Sequence, residues 1–185
     1  MIPVSVDGAA NSPSNSDSDD SEVVLDIQVA SACAPGARIV VYFTKNDRAS
    51  HGFIDALSKA IHDRENNPSV ISISWGGTED IRPTTFQDQF NQLLQEAAML
   101  GVTVCVASGD DGAADSAPRE WDGKAHVDFP ASSPFALACG GTRLRALGNT
   151  ITRETIWNQH KAEFDSSTGP DEFVRFGRWW CQRRV

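Results

Sequence analysis

Apolar positions along this chain recur in two alternating periods, and that alternation lays out a fold before any single residue is considered. Between residues 21 and 34, Val23, Val24, Ile27 and Ala30 fall at the i, i+3, i+4, i+7 spacing of one helix face, with Asp20 or Ser21 as cap and Pro35-Gly36 as the stop. ARIVVYFT (37–44) is a β-branched and aromatic run, and GFIDALSKAIHD (52–63) returns to the helical period. SVISISW (69–75) predicts a strand, TTFQDQFNQLLQEAAMLG (84–101) a helix closed by glycine, and VTVCVAS (102–108) another strand. Strands that alternate with helices need crossover connections, which set the strands parallel and cover the sheet on both faces. The expected class is therefore α/β, a doubly wound, mostly parallel sheet with helices on both faces. Beyond it, FALACGG (135–141) predicts a further strand and TRLRALGNTITRET (142–155) a hairpin turning at Gly148-Asn149. Residues 8–20 are a turn-prone polar loop, whose run SDSDD lacks the glycine and distant glutamate of a calcium-binding EF-hand loop.

In open α/β sheets the crevice for a ligand lies beyond the carboxyl ends of the strands. Two glycine-bearing segments arrive at that edge: Trp75-Gly76-Gly77-Thr78 and Ser108-Gly109-Asp110-Asp111-Gly112. Glycine lets a backbone approach a substrate closely, but it also simply makes turns, and either loop alone is compatible with both.

Composition narrows the partners. A chain of 185 residues, 40% apolar and 22% charged, fits one globular domain. Its longest apolar runs fall far short of the roughly 18 residues needed to cross a bilayer, and its first residues show no basic and apolar signal-peptide pattern. Sixteen basic against 25 acidic residues give 16 − 25 = −9, which repels nucleic acid and anionic membranes alike. Cys33, Cys105, Cys139 and Cys181 show no CxxC, and the first three sit in apolar runs that predict buried free thiols. The four histidines form no HExxH and no His/Cys cluster, so no metal site is expected from them.

One feature is locally unfavourable. Glu22 and Asp26 stand four apart on the first predicted helix, where like charges repel by a few tenths of a kcal/mol. Such rule-breaking concentrates at functional sites. Two neighbouring carboxyls cannot both ionise cheaply and tend to share a proton, which suits a base that works in acid.

The ordered segments VSVDGAAN, EVVLDIQVASACAPGARIVVYF, SVISISWGGTED, GVTVCVASGDDG, HVDFPASSPFALACGGTRL and ETIWN resemble the sedolisin family of serine-carboxyl peptidases, acid-acting relatives of subtilisin, and above all its kumamolisin-like members. The resemblance spans residues 4–168, about nine-tenths of the chain. It implies a subtilisin-like fold, incomplete at the C-terminus, and secreted, serine-type endopeptidase chemistry on polypeptides. It makes Glu22 the general base that takes the serine proton and Asp26 the carboxyl that hydrogen-bonds that base. Asp110 becomes the oxyanion-hole residue, where a protonated carboxyl donates to developing negative charge and an ionised one would repel it. Trp75 and Gly76 match the segment that lies along bound peptide. Asp128 matches a residue of the pocket for the side chain preceding the scissile bond, where it favours a basic or polar group; as residues alone, Asp128 is equally a loop carboxylate and Asp111 a turn residue.

The resemblance also breaks. The family's nucleophile lies in a GTSxxxP motif, and here Gly141-Thr142 is followed by Arg143; no Gly-Thr-Ser triplet occurs. The family's calcium site is built from residues late in the full catalytic domain, so no cofactor is expected within these 185 residues. Residues 1–168 correspond to part of a peptidase domain, whereas the tail 169–185, with Trp179-Trp180 and four arginines, departs from the family's glycine-rich continuation and fits an out-of-frame translation. Two functions follow: part of an acid endopeptidase with base and oxyanion groups but no nucleophile, or a non-catalytic α/β domain that binds extended peptide. The first implies a monomer or a poorly folded fragment.

Overall fold

The structure, a computed structural model, describes residues 1–13, 18–45, 51–115 and 124–156. Part of the predicted polar loop, and all of the divergent tail 169–185, lie outside the described residues. The chain divides into two compact units, one of Met1–Ser74 with Asp88–Val104 and one of Trp75–Gln87 with Cys105–Val185.

In the first unit, β1 (Ile2–Ser5) and β2 (Val40–Phe43) pair in parallel, with Ile2 opposite Val40 and Ser5 opposite Phe43, and α1 (Ser18–Cys33) lies between them in sequence as the crossover. The strand β1 was not expected. Its alternation of half-buried and exposed positions is four residues long, and Pro3 argued against a strand, yet a two-stranded pair leaves proline an edge on which its missing N–H costs no ladder bond. Helix α2 (His51–Ile61) buries Leu57, Ala60 and Ile61, and α3 (Thr84–Met99) buries Phe90, Leu94 and Ala97, each at helical spacing. With Val6 and Val104 these side chains form the apolar core of this unit.

Asp63, just past α2, is buried but fully engaged. Its Oδ1 accepts the backbone N–H groups of Glu65 and Asn66, and its Oδ2 accepts the Asn66 amide at 2.7 Å and the Tyr42 hydroxyl at 2.9 Å. The Asn66 amides, more than any other group, hold this carboxyl down at about 2. The same contact, together with burial, pushes the Tyr42 phenol above its usual range.

Helix α1 corrects an expectation. Its predicted stripe is only partly covered: Val23 and Ile27 are half-buried, whereas Val24 is 51% exposed and Ala30 is exposed. Val, Leu and Ala occur nearly all round this helix, so the i, i+3, i+4 match picked out one set among several and carried little directional information.

Strand β3 (Val70–Ile73) belongs to the first unit and β7 (Leu137–Cys139) to the second, and β5 (Thr103–Ala107) has residues in each. In the first unit the Thr103 N–H bonds the Ser69 carbonyl at 3.0 Å; in the second, Cys105 to Ala107 run parallel to Leu137 to Cys139. The strand predicted from SVISISW is present, and along β3 exposure alternates, Val70 being 59% exposed. The cysteines differ from expectation too: Cys33 is exposed, and Cys105 and Cys139, both free, are only partly covered.

The second unit adds two antiparallel pairs. β4 (Gly77–Thr78) lies against β6 (Asp128–Phe129), and β8 (Thr142–Leu147) against β9 (Thr150–Ile156) around the predicted Gly148-Asn149 turn, with an irregularity between Arg145 and Ala146. Gly148 has φ +58°, a conformation glycine adopts without strain. Val106, Phe129 and Ala131 are buried, and the Phe86 ring meets Phe129 edge-on at 5.9 Å.

The core assignment has a direct test. Replacing Leu94, which is 1% exposed, with alanine should lower stability by roughly 2–5 kcal/mol, seen as a lower denaturation midpoint with unchanged slope. Met99→Ala, at a side chain 79% exposed, should stay within about 0.5 kcal/mol.

Candidate active site

The residues singled out from sequence fall into two groups, one in each unit. Glu22 and Asp26 belong to the first. They stand one turn apart on α1, both half-buried. Asp26 Oδ1 accepts the Ser74 hydroxyl at 2.9 Å, from a residue just past β3 and directly before Trp75. This contact, invisible in sequence because 48 residues separate its members, ties the helix carboxyl to the end of a strand.

Trp75, Gly76, Asp110 and Asp128 belong to the second unit. Gly76 and Asp128 touch: a Cβ on Gly76 would overlap the Asp128 carboxyl, so only glycine fits there. Asp110 lies exposed on the turn after β5, beside Gly109 at φ +82°. A Cβ on Gly109 would stand 3.2 Å from Asp128 Oδ2 and 3.2 Å from Asp115 Oδ1. The segment after β3, the turn after β5 and strand β6 therefore converge on the Asp128 carboxyl.

Asp115 is the functional-site neighbour that sequence reasoning missed. It follows a short 3-10 turn, Gly112–Ala114, and sits in the left-handed region at φ +41°, which aspartate tolerates better than most residues. Its carbonyl accepts the Thr78 hydroxyl, and its side chain hydrogen-bonds that of Asp128. Both aspartates are buried, at 5% and 9% exposure, and Asp115 Oδ2 and Asp128 Oδ1 have no hydrogen-bond partner. Burial, then the Asp115 charge, push the Asp128 carboxyl up to about 7, against the Gly77 N–H and the Arg82 guanidinium, which lower it. Burial raises Asp115 as well, and Asp111 adds to the rise. His126, also buried, meets Asp80 Oδ2 through Nδ1 at 2.6 Å, and Arg82 donates to the Gly76 carbonyl at 3.1 Å.

Asp128 faces a small cleft whose walls include Ser108, Gly112, Ala131, Ser132 and Ala138. His126 and Val127 complete the lining, and the Asp128 carboxyl is the acidic group on its wall. Among the described residues no three or more His, Cys, Asp or Glu are grouped so as to hold a metal ion. No helix among them is long and apolar enough to cross a membrane.

The carboxyl pair sets a pH dependence whose sign is fixed. Asp128 binds its proton more tightly folded than unfolded, so its contribution to stability is complete below the ordinary value of 3.8 and is lost as pH rises toward about 7. Thermal melts of the chain should therefore show a higher midpoint at about pH 4 than at about pH 7.5. Asp128→Asn, which stays neutral throughout, should remove most of that difference; an undiminished difference in the variant would place the pH dependence elsewhere.

The chain matches the subtilase family over residues 8–181. It is 52% identical to kumamolisin of Bacillus sp. (strain MN-32) over 159 residues, 85% of this chain and 28% of that protein. It is 30% identical to sedolisin of Pseudomonas sp. (strain 101) over 141 residues, 73% of this chain and 24% of that protein. The chain thus spans about a quarter of the length of these relatives. Among solved structures, Pseudomonas sedolisin, a serine-carboxyl proteinase complexed with two molecules of pseudo-iodotyrostatin, shares the fold at a TM-score of 0.70 and 24% identity, over 97% of this chain and 48% of that one. With its α/β strands, its ExxxD helix and its converging carboxyls, the chain belongs to the subtilase family, in the kumamolisin-like group of sedolisin-type serine-carboxyl peptidases.

Proposed function

We propose that this chain carries the acid–base half of a serine-type endopeptidase that cleaves polypeptides in acid. Glu22 acts as general base toward a serine hydroxyl, Asp26 holds and orients Glu22, and Asp110, protonated, donates to the oxyanion. Trp75 and Gly76 present backbone to an extended peptide, and Asp128 receives the side chain preceding the scissile bond. The observation that carries this reading is the Ser74–Asp26 hydrogen bond at 2.9 Å, which anchors the ExxxD carboxyl to the residue that opens the Trp75-Gly76 segment. A pair of exposed helix carboxyls with no such anchor would be an ordinary solvated face.

The proposed nucleophile is not among these 185 residues, since no Gly-Thr-Ser triplet occurs. The family's calcium belongs, in this proposal, to residues other than those described. Secretion is proposed on the family resemblance, with a polypeptide as the partner and neither nucleic acid nor membrane. A peptide-binding domain without catalysis is the competing function, and the absent triplet is the observation in its favour.

A chimera separates the two. Residues 1–156 of this chain replace the matched region of Bacillus kumamolisin, so that the relative supplies the rest of the domain. Casein digestion at about pH 3 to 5 is the expected result for the chimera, and none for the 185-residue chain alone. Glu22→Gln should cost the chimera roughly 10²–10⁴-fold in kcat, the range of a lost general base. Asp110→Asn should retain part of the activity with a flatter acid limb, because an amide donates without needing a proton. A Glu22→Gln chimera as fast as its parent would sink the assignment, and an inactive, folded chimera would favour the binding domain.

A further inference from the structure

Asp128 lines the cleft of the second unit, whereas Asp115 lies behind it, 5% exposed and joined to it by a carboxyl–carboxyl hydrogen bond. That arrangement is built in. Gly109, at φ +82°, leaves the space in which Asp115 Oδ1 and Asp128 Oδ2 converge, and Gly76 leaves the space for the other side of the Asp128 carboxyl. A hydrogen bond between two carboxyls requires a proton on one of them. Two ionised carboxylates in this position would each bury an oxygen without a partner, Asp115 Oδ2 and Asp128 Oδ1.

The surrounding charges do not remove that requirement. Arg82 is the cation that acts on Asp128 from the segment after β4, and its side chain is also engaged by the Gly76 carbonyl. His126, before β6, is paired with Asp80. Asp111, from the turn after β5, adds a further negative charge to Asp115. His126 lowers Asp115 and Arg82 lowers Asp128, but burial outweighs both, so a single shared proton relieves the two carboxyls.

We propose that Asp115 is a positioning residue for substrate choice: through its hydrogen bond to Asp128 it makes the cleft accept a neutral, hydrogen-bonding side chain in acid and a guanidinium or ammonium side chain as pH approaches neutrality. The proposal rests on Asp128 being the floor of the side-chain pocket, and adds to it the group that sets when that floor is charged. In acid the protonated Asp128 offers a donor and an acceptor, which suits amide or hydroxyl side chains. As the shared proton leaves, the pair becomes an anion that a basic side chain neutralises. The direction agrees with burial and Asp115 both raising the Asp128 carboxyl.

The probe is benzamidinium, a planar cation, titrated into the full chain by NMR or calorimetry at about pH 4.5, 6 and 7.5. Wild type should bind at least tenfold more tightly at the highest pH than at the lowest. Asp115→Asn removes the like-charged neighbour, so Asp128 ionises earlier, binding gains at about pH 4.5, and the rise across the range shrinks to threefold or less. Asp128→Asn should abolish binding throughout. If Asp128→Asn abolishes binding while Asp115→Asn keeps the wild-type pH profile, the coupling is wrong and the pocket stands. If Asp128→Asn binds like wild type, the pocket itself is wrong. Infrared spectra read the shared proton without any ligand: a protonated-carboxyl stretch should persist in folded wild type at about pH 6 and vanish in Asp115→Asn. Its absence from folded wild type overturns the proposal whatever benzamidinium does.

Discussion

Two buried carboxyls can share one site only if they share one proton, and the second unit is arranged around that constraint. Asp115 and Asp128 converge where Gly109 and Gly76 have no side chains, and a methyl group at either glycine would press against a carboxyl. Gly109 is required twice over, since its φ of +82° is also one that larger residues avoid. The short ladder of β4 against β6 fixes Asp128 opposite Thr78, and the Thr78 hydroxyl in turn holds the Asp115 main chain. Phe129, the next residue of β6, is 2% exposed and packs against Phe86, so the apolar core of this unit sits one position from its acidic centre. Displacing β6 to relieve the carboxyls would uncover that ring, and the cost of the two events is therefore coupled.

The first unit solves the problem of a buried carboxyl in the opposite way. Asp63 receives four hydrogen bonds, which hold its carboxyl down at about 2, whereas burial and the Asp115 charge push Asp128 up to about 7 against the Gly77 N–H and Arg82. At Asp63 the Asn66 hydrogen bonds outweigh desolvation, whereas at Asp128 desolvation is the largest effect and the Asp115 charge adds to it. The consequences for stability are opposed. The contribution of Asp63 is complete above 3.8 and fades as pH falls toward 2; that of Asp128 is complete below 3.8 and fades as pH rises toward 7. Together they put the most favourable ionisation of both groups near pH 4.

How far the sequence could be read depended on the range of the interactions involved. Helices α2 and α3 and the β8–β9 turn were legible because periodicity, a glycine after the helix and a Gly-Asn pair are local signals with strong physical causes. Strand β1 was not, since a four-residue alternation containing proline is too short to outweigh the proline, and its stability comes from a partner some 38 residues away, Ile2 facing Val40. Helix α1 was placed correctly, but of the face it would bury only Val23 and Ile27 are partly covered, because apolar residues nearly all round it leave no preferred side. At the site, Glu22, Asp26, Asp110 and Asp128 were recognisable as members of motifs. Asp115, Ser74 and Thr78 were not, because each acts by a contact with a residue distant in sequence, and a lone aspartate after Gly-Ala-Ala or a serine at a strand end has no signature of its own.

Those long-range contacts also explain why carboxyls placed by similar motifs carry different tasks. Asp26 is half-buried and accepts a hydrogen bond from the Ser74 hydroxyl. Asp128 is buried against another acid, which favours its neutral form. At Asp63, donors outweigh burial and favour the charged form; at Asp128, burial and a second acid outweigh the donors that reach it and favour the neutral form, so one α/β framework carries both environments.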